Sequence, residues 1–200
     1  MSFNVVFIDD NMKKGLKEPF VLSIMKLRPQ IEASVFVDPE EGLKFVLDNM
    51  NNRMIVFVDC RFDGYGLQGI NLLKQIREKT SLLYIVMMSA NNLSQIASVD
   101  LVEMINQDFI WFLDRNNSTF HDACALIDTI ATLWDSRFDC VLEQWLIRHQ
   151  EDKDKVVFNQ NNNAYTWEQL LSEVRLQTEV GKDFERIMNQ YCIAKFKLEP

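Results

Sequence analysis

Five short apolar runs, each stopped by a polar residue and separated by stretches with helical spacing, limit this 200-residue chain to very few folds. Val5 to Ile8 stops on Asp9 and Asp10, Ser34 to Val37 on Asp38, Met54 to Val58 on Asp59, Leu82 to Met88 on Ser89, and Phe109 to Leu113 on Asp114. Unbroken apolar runs of this length are strands buried on both faces, and alternation with helices favours a parallel sheet with right-handed crossovers. The expected fold class is therefore α/β: a five-stranded, doubly wound, flavodoxin-like sheet of order 2-1-3-4-5.

The stretch from Met54 to Arg77 organises the rest. It reads as strand, acidic residue, glycine-punctuated loop and amphipathic helix carrying Ile70, Leu72, Leu73 and Ile76. Open α/β sheets place ligands outside the carboxyl ends of their strands, so Asp59 is the first candidate for chemistry. Upstream, Pro19 suits a helix start and Pro29 closes that helix, while Asp38 and Pro39 offer an N-cap followed by proline at the first helical position. Asn91 and Asn92 are candidate caps for a helix carrying Leu93, Ile96, Val99, Val102 and Ile105.

Beyond Asn117 the alternation stops. Residues 118–149 hold no Pro or Gly, and Phe120, Cys124, Ile127, Ala131, Trp134, Phe138, Val141 and Trp145 recur at spacings of four and three. That pattern predicts one long connecting helix of about 45 Å, whose far half needs an apolar cover beyond the sheet. Val156 to Phe158 is a short extended piece before an asparagine-rich turn. Thr166 with Gln169 resembles a capping box opening the last helical part, and Thr178 with Gly181 breaks or bends it. The expected organisation is a first domain over residues 1–120, the long helix over 118–149 and a helical extension over 150–200.

Composition removes whole classes of function. A net charge of -8, with seven Lys and Arg against nine Asp and Glu in residues 151–200, argues against nucleic acid as partner. No run reaches membrane-spanning length and no secretory pattern opens the chain, so a cytoplasmic protein without membrane attachment is expected. The four cysteines are scattered, with no C-x-x-C pair, and read as reduced thiols. His121 and His149 have no acidic partner at a telling spacing and read as surface or packing residues.

With the first and third strands adjacent, Asp9, Asp10 and Asp59 converge. Three such carboxylates repel by roughly 4 kcal/mol per pair at about 4 Å and an effective dielectric near 20. Magnesium is the hard, oxygen-seeking cation suited to them, with the Arg61 backbone carbonyl as a further ligand. A haloacid-dehalogenase-type phosphatase also uses a strand-end aspartate, but needs a second aspartate two residues on, where this chain has Arg61.

Over about residues 3 to 120 the sequence closely resembles a CheY-like bacterial response-regulator receiver domain, through VVFIDDN, IVFVDC, GINLLKQIR and IVMMSAN in that order. The resemblance implies that Asp9 and Asp10 bind Mg2+ and that Asp59 accepts a phosphoryl group from a histidine kinase or histidine phosphotransfer protein. Ser89 and Ala90 would meet the phosphoryl oxygens. It also implies self-catalysed phosphoryl acceptance and loss rather than an enzyme, with output through protein contacts and a possible homodimer through the helical extension. Two departures stand out. FIWFLDRNN lacks the family's lysine, leaving Arg115 in an extended register or Phe112 in a shorter one. RFDGYGLQG is longer than usual, with Arg61, Phe62 and Tyr65 expected to be exposed near Asp59. The alternative is a phosphate-independent adaptor or scaffold on a receiver-like fold.

Overall fold

The computed structural model describes residues 3–90 and 96–198, with the side chains of residues 197 and 198 set aside. The chain divides into two compact units, Met1–Ala131 and Thr132–Pro200.

In the first unit the strands are β1 (Phe3–Ile8), β2 (Ile31–Phe36), β3 (Met54–Asp59), β4 (Tyr84–Ser89) and β5 (Ile110–Asp114), all parallel, in the order β2-β1-β3-β4-β5. The β3 and β4 strands are buried at every position, as their unbroken apolar runs require. Helices α1 (Pro19–Leu27), α2 (Pro39–Asp48), α3 (Gly69–Arg77) and α4 (Ser98–Ile105) make the crossovers, and α5 (Phe120–Trp134) follows β5. Pro19 sits at the start of α1, and Asp38 caps α2 by accepting from the Glu40 and Glu41 N–H groups. The expected caps Asn91 and Asn92, with Leu93, lie outside the described residues.

One sheet face packs Val6, Ile8, Val56, Val58, Ile85 and Met87 against Leu72, Leu73 and Ile76 of α3 and Leu43 and Val46 of α2. Helix α5 buries Ala123, Cys124, Ile127 and Ile130, and Arg28, just past α1, clasps Asp128 of α5 with Nε and Nη2.

The helix expected over 118–149 is not continuous. It stops at Trp134, and α6 (Phe138–Arg148) begins after three intervening residues. Asp and Ser compete with helical backbone bonding, and they occupy the break as Asp135 and Ser136. The Ser136 hydroxyl donates back to the Leu133 carbonyl at 3.1 Å, and the Arg137 N–H donates to the Trp134 carbonyl at 3.2 Å. Arg137 itself is extended, which lets its guanidinium grip Asp139 through Nε and Nη2, each at 3.0 Å. Hydrophobic spacing alone could not register this, because each helix separately needs a buried side.

The second unit is also not purely helical. Strands β6 (Val156–Gln160) and β7 (Asn163–Thr166) form an antiparallel hairpin before α7 (Trp167–Arg175) and α8 (Glu179–Leu198). Its two-residue turn, Asn161 and Asn162, has φ of 52° and 63°, the left-handed pair that matches strand twist and that asparagine tolerates. Thr166 and Gln169 make the capping box that opens α7. Leu142 and Leu146 of α6, Leu170 and Val174 of α7, and Phe184 of α8 form the core, with Phe138, Trp145, Phe158 and Trp167 around them. A β-carbon on Gly181 would stand 2.1 Å from the Glu173 carbonyl oxygen, so only glycine lets α7 and α8 approach this closely.

Candidate functional site

The site lies where β1, β3 and β4 end side by side. Asp9 follows β1 and prolongs its ladder, its N–H donating to the Phe36 carbonyl at 2.9 Å, so its carboxylate is fully buried. Asp10 comes next, and Asp59 is the last residue of β3; both are buried. Each of the three offers a carboxylate oxygen, and these oxygens lie within 4.8 Å of one another. Ser89 ends β4, buried, opposite Asp114 at the end of β5.

Every oxygen of the Asp9–Asp10 pair has a use. Asp9 Oδ1 accepts from the Asn11 N–H at 2.8 Å, and Oδ2 accepts from Arg115 Nη1. Asp10 Oδ1 accepts from Asn11 Nδ2 at 3.0 Å, and Oδ2 from the Asp63 N–H at 2.9 Å. Asp59 Oδ1 accepts a longer bond from the Arg61 N–H at 3.3 Å. Burial, then the Asp9 charge, pushes the Asp59 carboxyl up to about 6, against the opposing pull of the Arg61 N–H and the Arg115 cation.

Arg115 is the first residue past β5, and its N–H donates to the Ser89 carbonyl at 2.8 Å. Its side chain reaches Asp9, placing a guanidinium in the acidic cluster. Phe112 lies within β5 opposite Met87, half-buried against the sheet core. Ala90 is exposed, and its carbonyl accepts from Asn116 Nδ2.

The loop between β3 and α3 differs from its expected form. Phe62 is buried at 2% exposure and meets Tyr65 edge-on at 6.5 Å, leaving Arg61 exposed and Tyr65 half-buried. Gln68 holds this loop: its Oε1 accepts from the Phe62 N–H, and its Nε2 donates to the Phe62 and Tyr65 carbonyls at 3.1 and 2.9 Å. Asn71 completes a capping box with Gln68 at the start of α3. Sequence reasoning missed Gln68, since its signal is a Gln–Asn pair three apart rather than the usual Ser or Thr with Glu. Between this loop and α4 lies a cleft of about 630 Å3, lined in part by Ser89, Met87 and Asp100.

The donor set suits magnesium. Three carboxylates supply hard oxygen ligands and excess negative charge, and no sulfur or imidazole competes among the described residues of this cluster. Asp9, Asp10 and Asp59 are the residues that would hold it.

Neither a protein-family model nor a curated protein sequence matches the chain. Solved structures do. The N-terminal domain of an uncharacterized protein from Wolinella succinogenes is similar with a TM-score of 0.52 and 16% identity, over 66% of this chain and 95% of that one. A response regulator receiver domain protein from Clostridium thermocellum gives 0.49 and 19%, over 64% and 92% of the two chains. A CheY-like receiver domain protein from Methanospirillum hungatei gives 0.47 and 14%, over 64% and 93%. At these identities the likeness concerns fold. With its 2-1-3-4-5 parallel sheet, the first unit has a doubly wound, flavodoxin-like α/β fold, and further C-terminal elements follow it. Among the described residues, no helix is long and apolar enough to cross a membrane.

Proposed function

We propose that the chain is a two-component response regulator that accepts a phosphoryl group on Asp59 from a histidine kinase or histidine phosphotransfer protein. The observation that carries this reading is the convergence of Asp9, Asp10, Asp59, Ser89 and Arg115 at adjacent strand ends. An Asp59 carboxylate oxygen attacks phosphorus in line with the donor's P–N bond. That bond breaks toward the imidazole, which takes a proton from solvent, and an aspartyl phosphate forms. Water later attacks phosphorus and returns inorganic phosphate and the free carboxylate, so the chain is a self-catalysed acceptor rather than an enzyme.

Transfer of this kind depends on alignment and charge neutralisation. A magnesium ion, held by the three aspartates and the Arg61 carbonyl, would neutralise charge on the phosphoryl oxygens. Ser89 donates its hydroxyl, Ala90 its N–H and Arg115 its guanidinium to those oxygens, Arg115 serving where the family has lysine. Arginine carries its charge on a larger, planar fork, so the replacement alters geometry as well as reach. An Arg115 side chain within the acidic cluster puts a cation within reach of the phosphoryl group, as this reading requires.

Output runs through protein contacts and not DNA, supported by the charge balance of residues 151–200, where acidic residues outnumber basic ones. A homodimer through the second unit is one form this output takes. The decisive experiment is incubation with acetyl phosphate and Mg2+ followed by intact mass. The wild type gains one phosphoryl group, about 80 Da, and Asp59→Asn gains none; equal labelling of both would refute the assignment.

A further inference from the structure

The Arg115 side chain is already engaged by one of the aspartates beside Asp59. Its Nη1 donates to Asp9 Oδ2, and the Asp9 carboxylate is fully buried while the Arg115 side chain keeps 27% exposure. The partner thus lies at the floor of the cluster, and the guanidinium reaches in from its rim. The other Asp9 oxygen accepts from the Asn11 N–H, and the main chain of Arg115 is tied to the Ser89 carbonyl. Each Asp9 oxygen thus already accepts one hydrogen bond, and of the two donors the long side chain is the easier to release when a cation approaches Oδ2.

Resting on the phosphoacceptor reading, we infer that Arg115 is an internal competitor for the divalent cation. Guanidinium and metal exclude one another on Asp9 Oδ2, because two cations on one buried carboxylate oxygen repel where little solvent screens them. Metal binding frees Arg115, and the freed guanidinium turns to the phosphoryl oxygens on Asp59. Readiness to accept phosphate is then coupled to the metal through one side chain with two positions, each stabilised by a different anion. By linkage, whatever pulls Arg115 from Asp9 raises metal affinity, and metal loosens Arg115 by the same factor.

The test measures Mg2+ binding to the full chain by calorimetry, for wild type, Arg115→Ala and Arg115→Lys, with thermal unfolding to confirm that each variant is folded. Arg115→Ala binds Mg2+ about tenfold tighter, and Arg115→Lys falls between it and wild type. The difference persists in 0.5 M KCl, where a remote field effect fades and a direct buried contact does not. In a nitrogen-15 spectrum, the Arg115 side-chain N–H signal, assigned by its loss in Arg115→Lys, is sharp before Mg2+ and broadens or shifts on saturation. Equal or weaker Mg2+ binding by Arg115→Ala, or a gain abolished by salt, overturns the competition and leaves the phosphoacceptor reading standing. Failure of every form to bind Mg2+ overturns both. If Asp59 takes no phosphate while Arg115→Ala still binds Mg2+ more tightly, only the phosphoacceptor reading falls.

Discussion

A β-carbon on Gly69 would stand 2.1 Å from the carbonyl oxygen of Asp59 and 2.9 Å from Cα of Cys60. Glycine at the head of α3 is what lets the helix start directly beneath the end of β3, where the Gly69 N–H donates to the Cys60 carbonyl at 3.3 Å. Gly69→Ala sets two effects against each other. Better helix propensity stabilises by up to about 1 kcal/mol, but the clash is with backbone that cannot rotate away, and overpacking of this kind costs about 1–3 kcal/mol. The clash wins. Gly69→Ala is expected to lower unfolding free energy in urea and to slow Asp59 labelling by displacing the strand end; a variant as stable and as readily labelled as wild type would contradict this.

Asp59 also shapes how stability depends on pH. Its folded value, pushed up to about 6, lies above the ordinary carboxylate value of 3.8. A group raised in this way contributes its stability below the unfolded value and loses it as pH rises through the folded one. The loss is therefore spread over roughly pH 4 to 6. In EDTA, Asp59→Asn should be more stable than wild type at pH 8, by at most about 3 kcal/mol for a shift near two units, and the gap should close near pH 4. Chemical denaturation at the two pH values decides it.

What the sequence made legible here was whatever depends on periodicity. The five strands are present within a few residues of their apolar runs, most plainly β3 and β4, because a strand buried on both faces cannot hide its composition. The aspartates at the ends of β1 and β3 could be placed from strand adjacency alone. Three features were not legible. The break at residues 135–137 depends on Arg137 gripping Asp139, a contact two residues apart that leaves hydrophobic spacing unchanged. The burial of Phe62 depends on Gln68 clamping the loop, and loops carry no period. The ion pair of Arg115 with Asp9 spans 106 residues, and composition says only that a cation is available there.

The second unit contains a buried charge cluster with a clear prediction. Asp139 is 3% exposed and Arg175 is 7% exposed. Asp139 accepts from Arg137 and from Arg175 Nε at 3.2 Å, and Arg175 Nη2 pairs with Glu143 at 2.9 Å. Burial alone would raise the Asp139 carboxyl, but the two arginines outweigh it and hold the value below the ordinary range. Asp139→Ala leaves Arg175 buried without this acceptor and should cost about 3–5 kcal/mol. Replacing both partners by apolar residues of similar volume, Asp139→Leu with Arg175→Met, should cost much less. Urea denaturation of single and double variants gives the comparison, and a double variant as unstable as Asp139→Ala would mean that the pair is worth more than its shape.

The last prediction concerns what covers α6. Leu142 and Leu146 are each 7% exposed, whereas Val141 on the other side is 52% exposed. Leu170, Val174 and Phe184 complete their cover, and Phe184 meets Phe138, Phe158 and Trp167 edge-on at 5.9, 5.4 and 6.0 Å. Deleting residues 151–200 strips these away. Side chains of this size are each worth about 1.5–3 kcal/mol when fully buried, so wetting Phe138, Leu142, Trp145 and Leu146 together is comparable to the whole margin by which a small unit holds its fold. The truncated chain should self-associate or lose the helicity of α6, seen as a rise in mass by light scattering or a drop in helical circular dichroism beyond the deleted residues' own share. Leu170→Ala in the full chain probes the same cover more gently. With Leu170 fully buried, it should cost about 2–5 kcal/mol and leave Asp59 labelling by acetyl phosphate in place. A truncated chain that keeps the full chain's oligomeric state, with α6 helical and unfolding at the same temperature, would show that residues 151–200 cover nothing that α6 requires.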